Sequence, residues 1–347
     1  MEAPTSAQYL AIFLVSVALS LLLVPLLRKI SFRYSILDRP IQSHKTHQES
    51  IPYLGGFAII LPVSLLVIIG PFIFIERSDY AHRTTLVLLP ALLLALLGLI
   101  DDIKNSSAFL RFLTQSIVAL SSALYLSKLS YSVSIFSNEI SNLLLLTFWL
   151  IGIVNAFNFF DNLDGGAAGV TLVASLTTSL LGFLGGQYLI SSVCLALAGS
   201  TLGFLWWNRN PARIYLGDSG ALFIGYVLAI SLLQFEPNVE SSVASALIPV
   251  FILALPIIDT SVAVVSRVLR GVSIFKGGRD HLSHRLISLG FNKRKTAYTL
   301  WSLSTLFSSL TLLISNVSKD AALGLSLLGL CAILIFFIYF LTIEFRR

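Results

Sequence analysis

Charge is what this chain has least of. Only 12% of its 347 residues are charged, where a soluble protein has roughly a quarter. That shortage excludes an ordinary soluble domain. With 56% hydrophobic residues and a mean hydropathy of +0.88, a polytopic membrane protein remains. Cysteine is scarce too. Cys194 and Cys331 are the only two, both inside apolar runs, which excludes a disulfide framework and a cysteine-built zinc site. The first apolar run has neither a basic flank before it nor a small-residue cleavage site after it, so it reads as a retained span rather than a signal peptide. No soluble insert, low-complexity tract or obvious repeat interrupts the chain. The expectation is one integral-membrane domain over residues 1–347.

Apolar runs long enough to cross about 30 Å of hydrocarbon recur with short polar breaks. About eleven are expected, near 8–27, 54–75, 84–100, 109–127, 143–159, 167–184, 188–206, 219–235, 243–266, 297–315 and 322–343. The run at 243–266 contains Pro256 and Asp259 and is expected to be broken. Of the 23 Lys and Arg residues, 19 fall in one set of loops and 4 in the other. That bias orients the all-α bundle with its N-terminus outside and its C-terminus cytoplasmic. It also explains the net charge of +6: the partner it suggests is the anionic lipid bilayer, not nucleic acid.

The acids follow the same partition. Asp101, Asp102, Asp161, Asp164 and Asp218 all fall on the expected cytoplasmic side, with His44, His47, His281 and His284. Acids on the other side occur singly and read as solvated loop charges. Asp101 and Asp102 end a span in LGLIDDIKN. Adjacent carboxylates there oppose the helix dipole unless a cation or a proton relieves them. In NAFNFFDNLDGG, Asn155 to Gly166, the i, i+3 spacing lets Asp161 and Asp164 reach one point, with Asn158 a turn earlier. Such a face suits a hydrated Mg²⁺, or the edge of a nucleobase with its ribose hydroxyls. A simple helix cap would explain one Asp or Asn there, not the whole set. Asp218, in IYLGDSGALFIGY, reads as an N-cap or as the holder of a metal that accompanies a phosphate at that helix start.

Two loops carry the basic groups. The first combines Arg39, Lys45 and His47 before Pro52 and Gly55-Gly56; the last combines Lys276, Arg279, His281, His284 and Arg285. For most of these, topology alone is reason enough. The histidines need another reason, because orientation requires none. Two His at i, i+3 lack the further ligands of a zinc site, so phosphate recognition beside Arg279 and Arg285 is the better expectation. Acids for a hard metal, cations and Gly-rich turns at one membrane face point to phosphoryl transfer.

The ordered series LDRP, KTHQ, IP-x-x-GG, LIDD, NAFNFFDNLDGG, LGDSGALFIG, PIIDT and RDHLSHRL resembles the polyprenyl-phosphate N-acetylhexosamine-1-phosphate transferases. The match runs from Asp38 to about Phe291. The resemblance implies transfer of a sugar 1-phosphate from a UDP-N-acetylhexosamine, most simply UDP-GlcNAc, to undecaprenyl phosphate, releasing UMP. It implies Mg²⁺, or Mn²⁺ in its place, and the bacterial cytoplasmic (inner) membrane; a homodimer is compatible with it. By the same carry-over Asp101, Asp102 and Asp218 are catalytic, and Asp218, Asp102 and Asp161 are metal ligands. Substrates would meet Lys45, His47, Asn158, Asp161, Asp164, Arg279, His281 and His284, while Asp259 would be structural or line the cavity.

The chain departs from the family pattern at Ser283, where a further His often stands. It also lacks the three-His and TMGG patterns of the phospho-MurNAc-pentapeptide transferase, its nearest alternative, so a simpler donor sugar is favoured. A secondary transporter is the rival from another class, but transporter sites sit near the bilayer midplane between repeats. A CDP-alcohol-type phosphotransferase would need D-x-x-D-G-x-x-A-R, which is absent.

Overall fold

The structure, a computed structural model, describes residues 5–38, 50–74, 79–104, 106–128, 138–274 and 278–343. Lys45 and His47, expected to meet substrate, lie outside the described residues, as do Arg39, His44 and Lys276.

The described chain is almost wholly helical. Its helices are α1 (Ser6–Arg33), α2 (Phe57–Phe74), α3 (Asp79–Lys104), α4 (Ala108–Lys128), α5 (Glu139–Phe160), α6 (Gly166–Leu184), α7 (Tyr188–Asn208) and α8 (Gly217–Gln234). They continue with α9 (Ser242–Ile252), α10 (Ala254–Leu269), α11 (Leu282–Ser288), α12 (Lys293–Ile314) and α13 (Lys319–Thr342). The only sheet among the described residues is one antiparallel pair, β1 (Leu37–Asp38) with β2 (Ile51–Pro52).

Every expected apolar run is helical over its described residues. Among the described residues nine helices are long and apolar enough to cross a membrane, and ten if α9 and α10 count as one. Those two meet at a 73° bend, the break expected at 243–266. The remaining run, 54–75, is helical over Phe57–Phe74.

Burial is graded across the bundle. In α8 94% of the apolar window is buried inside the protein, against 17% for α13 and 28% for α1. A helix apolar on all sides and covered on all sides is a bundle centre. Here α8 is that centre, with α3 and α5 against it. Small residues allow the close approach, as is usual where helices pack in lipid. A methyl group on Gly98 of α3 would run into the backbone at Asp218 and Ser219, and Gly56 abuts Gly220. That crossing brings the end of α3 onto the start of α8.

Candidate active site

The start of α8 has no side-chain cap of its own; the residue before it is Leu216. Its orphan amides are met from another helix. The Asp102 carboxylate accepts from the backbone N–H of Asp218 (3.0 Å) and of Ser219 (3.3 Å). Of the two readings of Asp218, the N-cap is therefore not the one the structure adopts. Gly217 makes the turn at φ 73°, where a side chain would meet the Tyr53 carbonyl at 2.6 Å and Asp102 Oδ2 at 2.8 Å. Relieved of capping, the Asp218 side chain points elsewhere. Its Oδ1 accepts from Asn158 Nδ2 at 2.8 Å, and Arg111 Nη1 lies 3.4 Å from its Oδ2.

Asp101 is held differently. It is ion-paired with Arg111, and its Oδ1 accepts from the Ser106 N–H (2.7 Å) and hydroxyl (2.6 Å). Arg111 therefore bridges Asp101 and Asp218 from the first turn of α4. Asp161 sits at the C-cap of α5, its N–H donating to the Phe157 carbonyl, and its carboxylate has no hydrogen bond or ion pair among the described residues. Burial, then Asp218 and Asp164, push its carboxyl up to about 7. Four carboxylates thus gather at the α3, α5 and α8 ends, and Arg111 bridges two of them, Asp101 and Asp218.

Asp161 and Asp164 share no protein partner, although the Asp164 charge acts on Asp161. Gly165, the residue after Asp164, makes a left-handed turn (φ 72°) into α6. Asp164 Oδ2 accepts from Asn210 Nδ2 (2.8 Å) and the Ala212 N–H (3.1 Å), tying it to the loop after α7. Asn208 and Trp301 clasp Gly165 from either side of its backbone, through Asn208 Oδ1 (2.9 Å) and Trp301 Nε1 (3.0 Å). Asp164 also lines a cleft of about 430 Å³ with Trp206, Arg209, Arg213, Arg294 and Tyr298 among its walls.

The last loop closes over α5 through a buried network. His281 Nδ1 lies 2.7 Å from Asp259 Oδ2, and the Leu282 N–H donates to Asp259 Oδ1 at 2.7 Å. Arg267 grips Asp280 with two bonds (2.8 and 2.7 Å), and Arg270 adds a third at 2.7 Å. These guanidiniums hold the Asp280 carboxyl below its usual range against the opposing effect of burial, the largest single influence on it. Arg285, expected beside a phosphate, is instead a buried clamp. It donates to the Phe340 (2.8 Å) and Ile343 (2.6 Å) carbonyls, to the Asp280 carbonyl and to Ser266 Oγ. Ser283, the departure from the family pattern, donates its hydroxyl to Asn162 Oδ1. His284 is half-buried; burial, then His281 and Arg279, push its imidazole down to about 4.

A family model described as glycosyl transferase family 4 matches residues 84–236. The "probable undecaprenyl-phosphate N-acetylglucosaminyl 1-phosphate transferase" of Bacillus subtilis is 33% identical over 93% of this chain and 88% of its own length. The chain belongs to glycosyl transferase family 4. A phospho-N-acetylmuramoyl-pentapeptide-transferase of Anoxybacillus flavithermus is 30% identical over 86% of this chain and 94% of its own. The decaprenyl-phosphate N-acetylglucosaminephosphotransferase of Mycolicibacterium smegmatis is 28% identical over 79% and 74%. The family 4 match contains the acids on α3, α5 and α8 with Arg111, and stops before Asp259 and the last loop.

In this family 4 glycosyl transferase the donor set suits a hard dication that brings other ligands with it. Among the described residues no three His, Cys, Asp or Glu side chains stand in a ready-made metal cage. Mg²⁺ needs none, since it commonly takes one or two carboxylates and completes its shell with phosphates and water. Asp102 is turned toward the α8 amides, which leaves Asp161 and Asp218 as the acids best disposed to hold it.

Sequence reasoning missed Arg111, Tyr53 and Tyr215 as site residues. Arg111 was counted with the topology charges; its signal was its place one short link after LIDD. The β1–β2 pair and the hydrogen bond from the Tyr215 N–H to the Pro52 carbonyl (2.8 Å) bring the two tyrosine rings to 6.1 Å. Burial, then Asp38, push the Tyr53 phenol above its ordinary range. Pairing across residues 39–49 has no local periodicity to announce it.

Proposed function

We propose that this protein transfers an N-acetylhexosamine 1-phosphate, most simply GlcNAc 1-phosphate, from a UDP-sugar to undecaprenyl phosphate, forming the lipid-diphosphate sugar and UMP. The observation that carries this reading is the convergence of Asp101, Asp102, Asp161 and Asp218 with Arg111 at one end of a family 4 bundle. The positive-inside bias supports putting that end at the cytoplasmic face of the bacterial inner membrane.

The second ionisation of a phosphate monoester lies near pH 6, so the lipid phosphate is mostly dianionic at neutral pH and needs no general base. An oxygen of that phosphate attacks the β-phosphorus of the UDP-sugar in line, and the bond to the α-phosphate oxygen breaks as UMP leaves. A bound Mg²⁺ would supply charge neutralisation between the two anions. Arg111, held between Asp101 and Asp218, offers a guanidinium to the same charge once phosphate competes for it. Asn158 orients Asp218, and Asp164 stands on the wall that would face the nucleoside. Ser283, bonded to Asn162 rather than replaced by a third His, supports a simple amino-sugar donor over a muramyl pentapeptide.

The test is to incubate the purified protein with undecaprenyl phosphate, Mg²⁺ and each UDP-N-acetylhexosamine, assaying UMP and the lipid-diphosphate sugar. No product from any donor overturns the proposal; product only from UDP-MurNAc-pentapeptide reassigns the donor. A rival route would pass through an aspartyl phosphate. Exchange of labelled UMP into the UDP-sugar by delipidated protein, without acceptor, would establish that route instead.

A further inference from the structure

His281 and His284 were expected to act together on the diphosphate. Their surroundings divide them. Both ring nitrogens of His281 are occupied by protein. Asp259, fully buried, accepts from the Leu282 N–H through Oδ1, so its Oδ2 is an acceptor for His281 Nδ1 as well. On the other side Arg267 Nη2 lies 3.3 Å from His281 Nε2. A guanidinium can only donate, so Nε2 must be the bare acceptor and Nδ1 must carry the proton. Phe159, in the acid-bearing turn of α5, packs edge-on against the imidazole at 6.1 Å and under Arg267 at 5.6 Å. Carboxylates fix the tautomer and ring direction of histidines in this way wherever a ring must be held. His284 has no hydrogen bond among the described residues and is only half-buried.

We infer that Asp259 is a positioning residue: it locks His281 in the Nδ1–H tautomer as the anchor of the last loop on α5, and leaves His284 as the histidine that meets the nucleotide-sugar phosphates. The second half rests on the proposed function; the first half does not. Asp259 and His281 come from segments 22 residues apart, and their bond sets the first turn of α11, from which Ser283 reaches Asn162.

The decisive measurement is imidazole nitrogen NMR on full-length, histidine-labelled protein in lipid nanodiscs, with His281→Asn used to assign the signal. Expected is a protonated Nδ1 and a bare Nε2 at His281, unchanged when UDP-GlcNAc is added, while the His284 resonances move. An Nε2–H tautomer, or a His281 signal that shifts with UDP-GlcNAc while His284 stays put, overturns the inference. Asp259→Asn, whose amide would turn a donor to one of its two partners, is expected to disturb the tautomer. It should lower kcat roughly 10–100-fold, with the UDP-sugar KM nearly unchanged; His284→Gln should raise KM instead. A raised KM in Asp259→Asn with the tautomer intact would count against positioning. If Asp259→Asn does not fold, the wild-type spectrum still decides the first half. If no UDP-sugar is turned over, the proposed function falls while the tautomer result stands.

Discussion

Two charged clusters lie within this bundle, and they are built on opposite plans. The cluster around Asp259, Asp280, Arg267, Arg270 and His281 is balanced. Each carboxylate oxygen has a donor within 2.8 Å, and Arg267 spends its donors on Asp280, on the Ile274 carbonyl and on His281. The cluster around Asp101, Asp102, Asp161 and Asp218 holds four acids with one guanidinium, which pairs with two of them, and leaves the Asp161 carboxylate without a partner among the described residues. Burying charge is costly unless it is paired. A completed network is therefore a brace, whereas an acid-rich one has charge left to balance. The family 4 match contains the second cluster and stops short of the first.

That contrast can be broken most forcefully at the brace. Asp280→Asn leaves the buried Arg267 against a neutral group and should destabilise the protein by about 3–5 kcal/mol. Thermal unfolding in detergent should show a lowered midpoint, with transfer per folded molecule still present. If the midpoint holds, the network is not a brace. Asp218→Asn should do the reverse. Transfer should fall on the order of 10²–10³-fold, while the unfolding midpoint stays level or rises, because a repelling charge is gone. A drop in both would place Asp218 with the braces.

Arg111→Gln comes next. Losing a charged hydrogen-bond donor costs about 1.5–3 kcal/mol, so transfer should drop roughly ten- to a hundredfold. Extra Mg²⁺ should recover part of it, since the dication answers the same acids; no response to Mg²⁺ would separate Arg111 from that charge.

The smallest effect is at His284. Its imidazole is pushed from an ordinary 6.5 down to about 4. Between those values the unfolded chain takes up a proton that the folded chain refuses. The stability associated with a neutral His284 is therefore complete above pH 6.5 and is lost as pH falls toward 4. His284→Gln should flatten that part of the curve of unfolding midpoint against pH. An unchanged slope would put the acid sensitivity elsewhere.

Much of this was legible in advance, for reasons that can be named. Span positions follow from hydropathy because lipid admits only helices or closed barrels, and the break at Leu253 falls just before Pro256, which has no N–H to give the Ile252 carbonyl four residues back. The acids stand out because charges are so few. Less legible was which acid does what. The adjacent Asp101 and Asp102 point to different tasks, one to Arg111 and Ser106, the other to the α8 amides. Asp164 is tied to the loop after α7, and Asp161 is not. Arg285 looked like a phosphate ligand and is a clamp on the end of α13, because its partners are backbone carbonyls 55 and 58 residues away.

By itself, then, the sequence determined that this is a helical membrane protein with a rare set of acids at span ends, and motifs that mark it as a family 4 glycosyl transferase. Those properties are local: they reside in composition, run length and short spacings. Tertiary structure alone decided the roles. The close crossing at Gly98, Gly217 and Gly220 sets Asp102 to capping and frees Asp218, and the folded last loop spends His281 on Asp259. Which of two chemically identical carboxylates is satisfied, and which is left to bind, depends on the donors that distant helices bring to it.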